Sequence, residues 1–337
     1  MTPFEHATRR SQLARMRRQA VAALARYPFA DVRRVKLLTF WENATYRVDG
    51  RLDDGTEGTW LLRLHRPGYN TRAMIRSELD WITGLADAGL DAQRPLAARD
   101  GARIVTVDAP HAPTRDVTML RWIDGRFRHR GLTPAHTRRV GALLARLHRH
   151  AEAWTPPEGF ERKAWDHTHW FAGPVRPTHP DMVGLLDEAG WSTFDEAHDR
   201  LLALQGEIGT APDRWGLIHA DLHFHNLLFA GDRALAIDWD DAGFGHFAQD
   251  IATPWTRLER LDDPAPLQRA LLDGYRSVRP WPEAQVAWID AFATLESVVV
   301  ARVFEDRMDL ESVRRRAPEV MAFVRDRLRA WLDANPA

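Results

Sequence analysis

Several things are missing from these 337 residues, and each absence removes a class of protein. There is no cysteine, so neither a disulfide framework nor thiolate chemistry is available, and a reducing compartment suits such a chain. No apolar run approaches the length of a membrane span. Residues 1–18 are rich in arginine and lack the apolar core of a secretion signal, so a cytoplasmic location is expected. A formal net charge of −1 argues against a dedicated nucleic-acid binder. Internal repeats, low-complexity tracts and long linkers are also missing.

What remains is ordinary soluble globular material, 45% apolar and 28% charged, with length enough for two lobes. Charge divides unevenly. Residues 1–125 carry 20 Lys and Arg against 15 Asp and Glu, a balance of +5; residues 126–337 carry 26 against 32, a balance of −6. A basic first part suits a polyphosphate ligand and an acidic second part a cationic substrate.

The most informative stretch is 216–241, G-L-I-H-A-D-L-H-F-H-N-L-L-F-A-G-D-R-A-L-A-I-D-W-D-D. Two apolar runs, 227–229 and 234–237, flank Gly231-Asp232, which predicts a β-hairpin. His219, Asp221, His223, His225 and Asn226 precede it, and Asp238, Asp240 and Asp241 follow. An antiparallel hairpin brings its outer ends together, and crowded carboxylates call for a cation between them. Oxygen ligands of this kind suit Mg²⁺. The spacing H-x-D-x-x-x-x-N, with a second Asp after the hairpin, is the layout of kinase-type phosphoryl transfer. A metal hydrolase is the competing reading, with His219, His223, His225, Asp221 and Asp238 as transition-metal ligands.

On H-x-D-L-H-x-x-N followed by I-D-x-D-D, the sequence resembles the aminoglycoside phosphotransferase-like (phosphotransferase enzyme) family. That family is a branch of the protein-kinase-like fold, and the likeness runs closest to the stress-response kinase and type II homoserine kinase group. The resemblance implies an α+β, two-lobed fold: an antiparallel sheet plus helix in a small lobe, then a larger, mostly helical lobe carrying the catalytic hairpin. The boundary is expected at 125/126. It also implies ATP and Mg²⁺ as cofactors. Asp221 would orient the acceptor hydroxyl and take its proton, and His219 would brace the loop. Asn226 and Asp238 would hold the metal, with Asp240 as an auxiliary contact.

Elsewhere the likeness extends outward from this core. Glu42, Asn43, Tyr46, Arg47 and Val48 match an E-N-x-x-Y-R-V turn over the nucleotide phosphates. No glycine stands between Thr39 and Asp49, so side chains such as Asn43 are expected to replace part of a glycine-rich cradle. Arg63 takes the place of the usual strand lysine, with Glu78 on the helix 71–88 as its partner. The backbone around Leu120 to Trp122 is the expected hinge for the adenine edge. Strands are expected at 35–40, 45–48, 60–64, 93–96, 102–107 and 117–120. Helices are expected at 3–27, 133–150, 191–208, 264–278, 282–304 and 311–333, with Ser192 or Thr193 capping the third of these. Asp250, on a helix starting near Phe247, is the family's brace for the catalytic loop. Segment 154–214 would shape the acceptor pocket, with Glu161, Asp166, His167 and His169 as candidates; Glu296, Glu305, Asp306 and Asp309 are others. The acceptor is expected to be the hydroxyl of a small molecule such as an amino sugar, homoserine or a choline-like alcohol. Three further readings stand beside it: a Ser/Thr protein kinase, a nucleotide-binding pseudo-enzyme, and the metal hydrolase.

Overall fold

The computed structural model describes residues 4, 6–40, 43–166 and 176–336. Trp41 and Glu42 of the expected phosphate turn, and His167 and His169 of the expected acceptor pocket, lie outside the described residues. The chain forms two compact units. The first is not one uninterrupted stretch up to 125: it comprises residues 1–126 together with 154–162 and 235–240, and the second comprises the rest.

The first unit is built on a five-stranded antiparallel sheet in the order β1-β2-β3-β5-β4. Its strands are β1 (Phe29–Phe40), β2 (Ala44–Leu52), β3 (Glu57–Leu64), β4 (Ile104–Ala109) and β5 (Ala112–Arg121). Side chains alternate across the two faces of a strand. Trp60, Leu62 and Leu64 of β3 join Met16, Ala20 and Ala23 of helix α1 (Arg9–Leu24) in one buried cluster. Leu61 points the other way, toward Ile75 and Leu79 of helix α2 (Arg72–Asp87). Arg63 shares the parity of Leu61, so the period of two alone aims its guanidinium at α2. Thr71 caps α2 by accepting from the Met74 N–H at 3.1 Å.

Two expectations fail here. Residues 93–96 are not a strand: they hold an isolated bridge between Pro95 and Leu120, with bonds from Leu96 N to Met119 O and from Arg121 N to Arg94 O, and form no continuous ladder. Pro95 has no N–H to offer a ladder. Helix α1 is also shorter than 3–27, because Thr8 caps it by accepting from Ser11 N.

The second unit is mainly helical: α3 (Pro134–Ala153), the single turn α4 (Pro180–Val183), α5 (Glu188–Ile208), α6 (Phe247–Leu258), α7 (Ala265–Arg276), α8 (Val286–Glu305) and α9 (Glu311–Ala334). Helices α3 and α7 approach through paired glycines. A Cβ on Gly141 would sit 1.9 Å from Leu271 O, and one on Gly274 1.9 Å from Arg138 O, so no larger residue fits either place. Helix α5 starts earlier than expected; its cap is Asp187, which accepts from Gly190 N, and not Ser192 or Thr193.

The stretch 216–241 opens on β7 (Trp215–Ile218), paired with β10 (Gly243–His246), and contains the hairpin β8 (Leu227–Ala230) and β9 (Arg233–Ala236) with Gly231 left-handed in its turn. A two-residue strand, β6 (Arg126–Phe127), lies beside β8 in a sheet of order β6-β8-β9.

Candidate active site

Within the first unit, the residues 235–240 are gripped by the small sheet. Arg63 is buried and donates from Nη1 to Glu78 Oε1 at 2.7 Å and from Nη2 to Asp238 Oδ1 at 3.1 Å. A guanidinium can serve both carboxylates at once because its donors form a rigid fork. Burial pushes the Glu78 carboxyl up, and Arg63 opposes that shift. Asp238 has φ 66, a left-handed value uncommon outside glycine, and its side chain is 50% exposed. The carboxylate is therefore fixed by Arg63 and half exposed.

Asp240, expected as an auxiliary metal contact, is set among protein partners. It is buried, and its carboxylate accepts from Asn43 Nδ2 at 3.0 Å and from Asn70 Nδ2 at 3.0 Å, with Arg63 Nη1 3.9 Å away. Its backbone carbonyl accepts from Asn70 and from Arg162 Nη2. Burial would raise this carboxyl; Arg63 and the Asn43 bond overcome it and hold the group below the usual range. The neighbouring His65 is kept neutral, pushed down to about 3 by burial and then by Arg63. Asn43, expected at the phosphates, is committed at both ends of its amide, since its Oδ1 also accepts from Arg66 N at 2.8 Å. Asn70, His65 and Arg162 were not foreseen, and no local motif marks them.

The expected hinge is also partly engaged. Trp122 N donates to Thr59 O at 3.1 Å, and Arg121 N to Arg94 O at 2.7 Å. Leu120 is paired with Leu61 inside the sheet. The N–H groups of Arg121 and Trp122 are therefore committed to the protein, which corrects that part of the adenine-edge expectation.

Within the second unit, the loop after β7 is built around Asp250, a fully buried residue of α6. Its Oδ2 accepts from His219 N at 3.0 Å and its Oδ1 from Ala220 N at 2.9 Å. Burial would raise this carboxyl, but bonds from His148 and His219 hold it below its ordinary value. The clamp coincides with strain: Ala220 has φ 67, although its Cβ disfavours that region. His219 itself is fully buried. The next residue, Asp221, turns outward with its side chain 41% exposed. Asn226 Nδ2 donates to Asp221 Oδ2 and to its carbonyl, each at 2.9 Å. His223 Nε2 lies 3.6 Å from Asp221 Oδ2, and burial pushes that ring down to about 4, so it is neutral at pH 7.

Of the acceptor candidates, Glu305 accepts from the backbone N–H groups of Thr178 and His179, and Glu296 accepts from Thr256 Oγ1 at 3.0 Å. Among the described residues no three His, Asp or Glu side chains are grouped to hold a metal ion. No described helix is long and apolar enough to cross a membrane.

The sequence model of the phosphotransferase enzyme family matches residues 34–287. The chain belongs to that family. Its fold is the protein-kinase-like α+β fold of the phosphotransferases, and it is a phosphotransferase of the kinase type. A solved microcompartment-associated aminopropanol kinase is similar, with TM-score 0.80 and 29% identity over 96% of this chain and 98% of that one. An amicoumacin kinase solved with AMP-PNP, Ca²⁺ and Ami has TM-score 0.73 and 19% identity, covering 98% and 97% of the two chains. A homoserine kinase of Rhizobium rhizogenes is 28% identical over 250 residues, 69% of this chain and 70% of the relative. With membership of a kinase family established, the metal-hydrolase reading gives way.

Proposed function

We propose that this enzyme moves the γ-phosphate of ATP to the hydroxyl of a small amino alcohol or hydroxy amino acid, with Mg²⁺ bound. The observation that carries the reading is the strained, clamped loop. Asp250 holds Ala220 left-handed, which presents Asp221 outward, while Asn226 fixes the Asp221 carboxylate. Such an arrangement suits positioning, which a loose phosphoryl transition state needs more than a strong base. Asp221 orients the acceptor hydroxyl and receives its proton late in transfer.

The donor chemistry fits a hard cation. Asn226 uses its amide nitrogen on Asp221, which leaves the amide oxygen for a metal, and Asp238 offers a half-exposed carboxylate. Each is the kind of oxygen that a hard cation such as Mg²⁺ would take. When bound, the cation neutralises charge on the β- and γ-phosphates. Arg63, steadied by Glu78, keeps Asp238 in place and adds positive charge beside the phosphates. Asp240 serves as the anchor of this segment. Supporting ATP is the AMP-PNP complex of the structurally similar amicoumacin kinase; supporting the acceptor class are the aminopropanol and homoserine kinases.

The test is a coupled ADP-release screen with Mg²⁺-ATP over 1-amino-2-propanol, homoserine, choline, ethanolamine, aminoglycosides and a basic protein. Acceptor-dependent ADP release from a small alcohol, abolished in Asp221→Asn while ATP binding persists, is the expected result. Transfer to the protein alone would overturn the acceptor class, and full turnover by the mutant would overturn the role of Asp221.

A further inference from the structure

Behind the catalytic loop lies a buried run of polar side chains that the proposed chemistry does not use. Asp250, His148 and Tyr275 are all fully buried. His148 Nε2 is 3.1 Å from Asp250 Oδ2, and His148 Nδ1 is 2.8 Å from the Tyr275 hydroxyl. Arg279 Nη1 lies 3.1 Å from that same hydroxyl oxygen. Arg279 is in turn held by Glu152, with Nη2 2.7 Å from Oε1.

Only one arrangement of protons satisfies these contacts. Asp250, ionised, can only accept, so His148 must carry its proton on Nε2. Burial holds the ring's pKa below its ordinary value, so the ring is neutral and Nδ1 is bare. The Tyr275 hydroxyl therefore donates to Nδ1. Having given its single proton, its oxygen can accept from Arg279, which has no acceptor of its own. Reversing the tautomer would set a bare Nε2 against a carboxylate. Phe247 keeps the run in line: the His148 ring stacks on it at 4.3 Å, and the Arg279 guanidinium sits 4.8 Å from its ring centre.

We propose that Tyr275 is a positioning residue for phosphoryl transfer, donating to the bare Nδ1 of His148 and so holding in place the ring whose Nε2–H holds Asp250 and, through it, the left-handed turn before Asp221. The kinetic consequence rests on the proposed function; the tautomer assignment does not. Tyr275→Phe keeps the ring, which packs edge-on against Trp281 at 5.5 Å, and removes only the hydroxyl. His148→Gln supplies an amide N–H to Asp250 with no ring for Tyr275 to hold.

The full chain labelled with ¹⁵N-histidine gives the first readout, with the His148 signals assigned by their loss in His148→Gln. The wild type should show a protonated Nε2 and a bare Nδ1 that accepts a hydrogen bond, and Tyr275→Phe should keep the tautomer while its Nδ1 signal moves to that of a nitrogen without the bond. In Mg²⁺-ATP turnover with the best acceptor from the screen, Tyr275→Phe should lower kcat about tenfold, the factor expected for one net hydrogen bond, with KM for ATP changed less than about twofold. In the His148→Gln background the same substitution should cost less than about twofold, because the amide donor needs no partner to orient it. A wild-type Nδ1 signal in Tyr275→Phe overturns the proposal. So does an equal loss of kcat in both backgrounds. Failure to find any acceptor would count against the proposed function alone, since the spectra still decide the bond to Nδ1.

Discussion

Replacing Asp250 by Asn tests how far the catalytic loop depends on one carboxylate. The native group accepts three hydrogen bonds, from His219 N at 3.0 Å, Ala220 N at 2.9 Å and His148 Nε2 at 3.1 Å. An amide of the same shape has one oxygen and one NH₂, so at least one of those donors must face another donor. Bonds to a charged acceptor contribute about 1.5–3 kcal/mol each, a neutral bond about 1 kcal/mol. Against this stands Ala220 at φ 67, a conformation that costs about 1–2 kcal/mol for a residue with a Cβ. The carboxylate outweighs that strain; a single neutral bond only matches it. The loop should then leave the left-handed state for much of the time and take Asp221 with it. Stability should fall by about 2–4 kcal/mol on urea unfolding, from the lost bonds of a buried group. Since small misplacements of reacting groups can cost about 100-fold, kcat should fall about 30- to 100-fold. KM for ATP should move little. Adding Ala220→Gly, which removes the strain, should restore part of the lost rate. Asp250→Asn with full turnover and unchanged unfolding would refute the reasoning.

Arg63→Ala should destabilise the chain by about 3–5 kcal/mol in urea, because it strands the buried Glu78; Glu78→Gln in that background should recover part of the loss, and no recovery would count against an uncompensated charge as the cause. Acid should weaken the fold well above the carboxylate range. Burial holds His223 and His246 down to about 4 and His65 down to about 3, whereas in the unfolded chain a histidine titrates near 6.5. The unfolded state therefore binds more protons below pH 6.5, so stability is complete above that pH and drains as pH falls toward 4. The slope is about 1.4 kcal/mol per pH unit for each fully responding histidine, and a melting temperature flat between pH 6.5 and 5 would contradict it. Asn43→Ala should free one side of Asp240 and leave Arg66 N without its acceptor, at a cost of about 1–3 kcal/mol measured by denaturant midpoint.

What the sequence disclosed, and what it withheld, follows from the separation of the interacting residues. The hairpin around Gly231-Asp232, the alternation that turns Arg63 toward α2 and the Thr71 cap are short-range matters, and each is readable from a few neighbours. The cap of α5 was misread because Ser192, Thr193 and Asp187 are all competent caps and only the packing of the helix chooses among them. The pairing of β7 with β10 was missed for another reason: G-F-G-H carries little strand propensity and is held by its partner. The hinge misled because Arg121 and Trp122 have N–H partners in Arg94 and Thr59, far along the chain.

The three acids of I-D-W-D-D show the principle most sharply. Asp238, Asp240 and Asp241 are chemically equal and adjacent, so composition and spacing assign them as one acidic cluster. Their neighbours separate them. Arg63 and a left-handed backbone leave Asp238 half exposed. Asn43, 197 residues away, and Asn70, 170 residues away, take Asp240 into the interior. Asp241 meets Lys163 at 3.8 Å. A carboxylate already receiving two amide N–H groups in the interior has little to gain from a cation. Asp238, fixed by Arg63 and half exposed, keeps the access to solvent that Asp240 has lost. The different surroundings of Asp238 and Asp240 therefore depend on partners brought together only by folding.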